Sequence, residues 1–325
     1  MNTDLYEKLF EEGCISKESL ERIRSKRQNP LFSLHWELKT LLYLGVMLLS
    51  TGLGILIYKN IDTIGHQVII AAIAAISGSC FFYCFKHKKP FSKTRVTVSN
   101  AWFDYILLLA CLSFLSFLGY LQFQYTIFGT AYGLATFIPM VVLFYVAYAF
   151  DHLGILSMAI TNLGVWLGLS ISPTSLLYTA WGNDNLILTG LFLGFFLMAI
   201  AFLSDRCLFK PHFWFTYMHF ATHLSFISIL AGYFYNYDRP GSVLWLFITF
   251  LAGYYAYTDA MKHRSFYFLL LVTLYAYISV SALLIRVMLL NDNIASFYLC
   301  FIYFICSAIG MIRILKYLNK KVKTS

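Results

Sequence analysis

Charge is what this sequence most lacks: only 12% of its 325 residues are Asp, Glu, Lys or Arg, against about 25% in an ordinary soluble domain. With 60% of residues hydrophobic, one water-soluble core could not bury the apolar surface, because such cores stop growing near about 250–300 residues. The excess must face lipid, and the bilayer is part of the fold. Proline is scarce as well. Pro30, Pro90, Pro173, Pro211 and Pro240 fall in or at the edge of expected loops, and only Pro139 lies inside an apolar run, where it is expected to kink a helix and free a carbonyl. Paired cysteine is missing too. Cys14, Cys80, Cys84, Cys111, Cys207, Cys300 and Cys306 are odd in number and form no Cys-x-x-Cys motif, so a disulfide framework is not indicated. Cys80 and Cys84, one helical turn apart, read as small apolar packing residues.

Acid is absent where an ion-coupled carrier would need it. Asp62, Asp104, Asp151, Asp184, Asp205, Asp238, Asp259 and Asp292 lie at loops or span ends, and Asp4 and every glutamate precede the first apolar run. Proton pumps and ion-coupled carriers usually keep an ionisable group at mid-membrane despite a cost of about 2.5–3.5 kcal/mol. Coupling through a buried carboxylate is therefore disfavoured. There is also no phosphate-binding glycine loop, no nucleophile elbow and no His-Glu-x-x-His helix, and the outer loops are too short for a catalytic domain. An enzyme would need an intramembrane site; no catalytic residue, metal ligand or cofactor is indicated.

What the sequence does have is long apolar runs. Windows of about 19 residues give ten candidate spans, at 39–58, 67–85, 103–121, 130–149, 153–172, 185–203, 213–234, 242–258, 265–285 and 294–315. At about 1.5 Å per residue each crosses most or all of a hydrocarbon core of roughly 30 Å. Lys and Arg test this division independently. With the N-terminus inside, 21 of the 24 fall in cytoplasmic segments, and only Lys59, Arg239 and Arg286 fall outside. That partition obeys the positive-inside rule, and a missing early helix would invert every later loop. The weakest joint is between the fourth and fifth spans, where Asp151 and His152 are the only polar punctuation. The net charge of +9 thus reads as loop charge facing a membrane, with no single basic face for nucleic acid.

The expected fold is all-α: a polytopic transmembrane bundle of about ten helices with both termini in the cytoplasm. Residues 1–38 form a cytoplasmic helical hairpin and basic lead-in, 39–315 the transmembrane domain and 316–325 a basic tail. Residues 1–38 are too polar for a cleavable signal peptide, so the first run is expected to stay as an anchor. Gly129 with Gly133, Gly164 with Gly168, Gly190 with Gly194, and Ala71, Ala75 and Ser79 offer small-residue faces for helix packing.

One polar constellation survives inside a span. Thr216, His219 and His223 share a face of the seventh run. Histidines one turn apart can bind a metal, but zinc wants a third and usually a fourth ligand, and none lies at matching depth. Lining of a polar substrate cavity and interhelical hydrogen bonding are the remaining readings. Asn162 in the fifth span, with Tyr275 and Tyr277 in the ninth, could join such a cavity if those helices are neighbours.

At the N-terminus, Leu5 and Leu9 make an apolar stripe, Gly13 breaks it, and Ser16 can cap a second helix carrying Leu20 and Ile23. Arg22, Arg24, Lys26 and Arg27 follow and suit either anionic lipid or docking of a protein partner. The stretch from Leu5 to Leu20, with its Gly13-Cys14-Ile15-Ser16 turn and the apolar run starting near Lys39, resembles bacterial predicted membrane proteins of domain of unknown function family 2157. The resemblance implies a bacterial cytoplasmic (inner) membrane location and brings no reaction and no functional residues. In helix number, length and terminal placement the chain is also similar to the drug/metabolite transporter superfamily. That likeness is architectural and does not imply function. Residues 39–172 and 185–315 show none of the internal similarity that inverted repeats would leave. Three function classes follow: a carrier or flippase for a small polar or lipid-linked molecule, a structural or regulatory component of a membrane complex, and an intramembrane redox or transfer enzyme.

Overall fold

The computed structural model describes residues 65–96, 101–129, 132–171, 184–289 and 294–324, with scattered positions between 12 and 55. The chain divides into two compact units, Met1–Ile69 and Ile70–Ser325. In the first, the Ser19 N–H donates to the Ser16 hydroxyl at 3.3 Å, which is the bond of a serine N-cap. The rest of the expected hairpin, its docking role and the expected span 39–58 lie outside the described residues.

Nine α-helices are found among the described residues: α1 (His66–Lys86), α2 (Ala101–Tyr125), α3 (Tyr132–Phe150), α4 (Leu153–Ile171), α5 (Asp184–Arg206), α6 (Trp214–Tyr235), α7 (Val243–Lys262), α8 (Phe266–Met288) and α9 (Ile294–Thr324). There are no strands among these residues. Each helix matches an expected run, and α9 extends furthest beyond it. The stretches His66–Lys86, Trp102–Tyr125, Gly133–Phe150, Asp184–Arg206, Phe266–Met288 and Ser296–Val322 are long and apolar enough to cross a membrane. In α4 the apolar stretch is shorter, Leu153–Gly168. Helices α6 and α7 have the length, at 22 and 20 residues, without the apolarity.

The position of α6 explains its composition. It packs on α4, α5, α7 and α8, so protein and not lipid covers most of it, and Thr216, Thr222, Ser225 and Ser228 are all buried. A helix walled by other helices can carry hydroxyls, which bond back to its own backbone, as Thr222 does to the Met218 carbonyl at 2.7 Å. The tightest contact is with α5. A Cβ on Gly194 would stand 2.7 Å from the Ser225 backbone nitrogen, and one on Gly190 would stand 2.5 Å from the Ser228 hydroxyl oxygen. At Gly194, where the obstructing atoms are backbone, only glycine permits that approach. The Gly129 and Gly133 pair is different: Gly129 lies in the turn after α2 at φ +54°, with open space where its Cβ would be. It serves a left-handed turn and not a helix face.

Pro211–Phe213 and Pro240–Ser242 form single 3-10 turns that start α6 and α7, using proline where its missing N–H costs nothing. Pro139 lies within α3, which continues through it. The weak joint after α3 is a true break. Asp151 takes a left-handed conformation (φ 61°), the His152 N–H reaches back to the Ala147 carbonyl at 3.1 Å, and the His152 ring accepts the Ile155 N–H at 3.2 Å. This is a Schellman turn with aspartate in glycine's place, followed directly by a side-chain cap for α4.

Candidate functional site

Helices α6 and α8 hold a chain of four polar side chains. The hydroxyl of Tyr275 lies 2.8 Å from His223 Nδ1, His223 Nε2 lies 3.4 Å from the Tyr267 hydroxyl, and that hydroxyl lies 2.6 Å from His219 Nδ1. Aromatic stacking frames it. The Tyr275 ring stacks on Phe226 at 4.9 Å, and Tyr267 lies over His219 at 5.7 Å. Both helices run in the same direction, so residues one turn apart on α6 face residues two turns apart on α8.

His219, His223 and Tyr275 are thus together, joined by Tyr267. Thr216 is buried on α6 one turn before His219. Tyr277 points away: its hydroxyl pairs with Ser307 of α9 at 3.0 Å, because residues two apart on a helix project about 200° apart. Asn162 is half-buried on α4, and no hydrogen bond among the described residues links it to the histidines. Among the described residues no group of three or more His, Cys, Asp or Glu side chains is placed to hold a metal ion.

A separate feature lies at the other end of α6. An open cleft of about 660 Å³ separates α4, α5 and α6, floored by Gly164, Gly168, Gly190 and Leu193. Ile227, Phe234 and Tyr235 stand half exposed at its edge. Its few polar groups include the Thr189 and Ser228 hydroxyls, and Gly164 on α4, whose nearest neighbour to an added Cβ is Leu193 at 4.0 Å, leaves space that a larger side chain would fill.

The helix ends opposite the cleft carry a charged network. Asp151 accepts the Val96 N–H at 2.6 Å, pairs with the Lys210 ammonium at 3.0 Å and touches His212 Nε2 at 2.6 Å. Burial alone would raise the Asp151 carboxyl, but the Val96 N–H, the Lys210 ammonium and His212 outweigh it and hold it below the usual carboxylate range. Lys210 is 1% exposed. Its backbone N–H bonds the Lys93 carbonyl at 2.9 Å and its ammonium lies 4.9 Å from the centre of the Phe91 ring. Nearby, the Trp214 indole N–H donates to Asp259 at 3.0 Å and stacks on His263 at 3.7 Å, while His263 also reaches Asp205 at 3.3 Å. The segment 87–96 and the ends of α3, α5, α6 and α7 are thereby tied together. These are the segments in which the sequence places its inner charges.

Residues 7–156 match the family model of a predicted membrane protein, DUF2157. This is the family that the N-terminal stretch resembles. The match stops four residues into α4, so it includes Asp151 and Val96 but neither the histidine–tyrosine chain nor any residue lining the cleft. No curated protein and no solved structure matches the chain. With several helices of spanning length and apolarity, the chain is a multi-pass membrane protein.

Of the functional groups, Tyr267 and the Asp151–Lys210–His212 network are absent from the sequence-derived candidates. Tyr267 has one usable signal, its placement two turns before Tyr275. Lys210 has none, since nothing local to it distinguishes a buried lysine from the other loop cations.

Proposed function

We propose that this is a carrier of the bacterial cytoplasmic membrane for a lipid-linked or lipid-soluble molecule, which enters the bundle from the bilayer. The observation that supports this is the cleft between α4, α5 and α6. Its volume of about 660 Å³ falls within the range of about 300–1,000 Å³ usual for small-molecule sites. Its apolar lining suits acyl or isoprenoid chains, while Thr189 and Ser228 offer hydroxyls to a polar group. Absence of a mid-membrane acid fits a carrier that moves its cargo without a carboxylate-coupled ion. Both termini face the cytoplasm in this reading, on the strength of the Lys and Arg partition.

Ile227 tests the cleft because it stands at its edge, 53% exposed, where a larger side chain narrows the opening without entering the core. Purified protein in nanodiscs should retain a lipid-like species visible by native mass spectrometry. Ile227→Trp should lose that species and the matching lipid movement in reconstituted vesicles. Equal retention and equal movement in both proteins would refute the carrier.

A second reading, a non-catalytic component of a membrane complex, is favoured by α9. Among the described residues its most apolar stretch buries none, and it packs chiefly on α8. Disulfide or photochemical cross-linking from Phe301, 68% exposed, should then capture a defined protein neighbour in native membranes.

A further inference from the structure

The hydrogen bonds between α6 and α8 have a direction. Two imidazoles whose rings lie 4.8 Å apart disfavour charge on one another, and neither histidine bonds a carboxylate among the described residues, so both rings are treated as neutral. A neutral imidazole donates from one nitrogen and accepts at the other, and a phenol donates a single proton. His223 has a tyrosine hydroxyl at each nitrogen. It therefore donates to one and accepts from the other.

If Nδ1 were the donor, the Tyr275 O–H would have to find another acceptor. Tyr275 is 8% exposed and has no other hydrogen-bond partner among the described residues, and an unpaired buried hydroxyl is costly. The opposite polarity avoids this. Tyr275 donates to His223 Nδ1, the His223 Nε2–H donates to Tyr267, and the Tyr267 O–H donates to His219 Nδ1. Each link constrains the next, and the last leaves the His219 proton on Nε2.

That nitrogen bonds no described residue. Nor is it enclosed, since the buried unpaired side-chain atoms among the described residues are His212 Nδ1, Ser225 Oγ and the Tyr233 hydroxyl oxygen. The chain thus ends in an N–H on a half-buried residue that no described residue pairs. Such a donor is satisfied only by an acceptor from its surroundings.

We propose that His219 Nε2–H binds a carbonyl oxygen of a bilayer-borne molecule, either a phospholipid ester or a lipid-soluble quinone. His219 lies five residues into α6, about 7.5 Å at 1.5 Å per residue, below the charged ends that carry Trp214 and Asp259. That is the boundary between headgroup and hydrocarbon, where ester carbonyls reside and a quinone ring can reach. Phe215, 46% exposed, and Phe220, whose ring meets His219 edge-on at 5.3 Å, flank the position with aromatic surface. The site faces α8 and lies near the charged end of α6, so it is separate from the cleft, and either can fail alone.

The test uses the full chain labelled with ¹⁵N-histidine in nanodiscs of ether-linked phosphatidylcholine, which has no carbonyl. His219→Phe assigns the His219 resonances. Nε2 of His219 should be protonated and Nδ1 should carry the lone pair. Replacing the ether lipid by its ester-linked counterpart, or adding decylubiquinone to the ether-lipid discs, should shift the Nε2 resonance. A shift with ester lipid alone identifies the phospholipid as the source, and a shift with decylubiquinone alone identifies the quinone. Tyr275→Phe removes the donor that sets the polarity, so both His219 tautomers should appear and about tenfold more of the carbonyl compound should be needed for the same shift. An unprotonated His219 Nε2, or a resonance unmoved by either carbonyl source, would overturn the proposal.

Discussion

Asp151 and Lys210 form an ion pair 3.0 Å long in which both side chains are at most 2% exposed and both residues hold left-handed backbone conformations, at φ 61° and 52°. Neither is glycine, so each conformation is held against its own preference. The pair joins the α3–α4 break to the segment between α5 and α6. A buried pair is not by itself a source of stability, because both ions must leave water. Breaking it is another matter. Asp151→Asn and Lys210→Met should each destabilise the protein by about 3–5 kcal/mol, since each leaves one buried charge without its partner. The double variant should recover a substantial part of either loss. Thermal melting of the four proteins in one detergent forms a double-mutant cycle, and strict additivity would show that the two residues are not coupled.

Acid should act on the same pair. The Asp151 carboxyl titrates below its ordinary range in the folded protein, so its stabilising contribution is complete above its unfolded value of about 3.9. That contribution is lost as pH falls through the lowered folded value. Melting temperatures of the parent and of Asp151→Asn should therefore differ by a constant amount between pH 7 and pH 5 and converge below about pH 4. A gap that persists unchanged to pH 3 would mean that the carboxylate charge does not contribute.

Orientation follows from the basic residues. A cytoplasm-active reporter fused after Ser325, or inserted between Lys86 and Arg95, should be active, and a periplasm-active one silent at both sites. The contacts give this an internal check: the Lys321 ammonium lies 3.2 Å from the Tyr257 hydroxyl, and the Lys210 N–H reaches Lys93, so both insertion points belong to one end of the bundle. Arg286 donates to the Ser242 hydroxyl at 2.6 Å and lies 4.6 Å from the centre of the Tyr237 ring at the other end. Reporters that disagree between the two sites would break the arrangement.

The helices were legible in the sequence because lipid leaves the chain little choice: a long apolar run must satisfy its own backbone, and a helix does so. The joint at Asp151 was legible as punctuation but not as a network. Its partners Val96 and Lys210 lie 55 and 59 positions away, and no local pattern reports which loops share an end. Helix neighbours were equally hidden. Tyr275 and Tyr277 look alike in sequence, yet one faces His223 and the other Ser307. The face that each residue presents follows from helical geometry, while the identity of the facing helix is set by packing across the whole bundle.

The α5–α6 contact separates two glycines, Gly190 and Gly194, that the sequence makes equivalent. A methyl at Gly190 would meet the Ser228 hydroxyl oxygen at 2.5 Å, whereas one at Gly194 would meet Ser225 backbone atoms at 2.7 and 3.0 Å. A hydroxyl can rotate away; a backbone cannot move without shifting α6. Alanine also recovers up to about 1 kcal/mol of helix propensity at either site. Gly190→Ala should therefore be close to neutral, and Gly194→Ala should cost about 1–3 kcal/mol through overpacking. Ser225→Gly, which removes only the side chain, should not rescue Gly194→Ala, because the obstructing atoms belong to the main chain. Comparing the melting temperatures of these proteins decides it: equal losses at the two glycines, or full rescue by Ser225→Gly, would show that the helices are not in the close contact that the backbone distance requires.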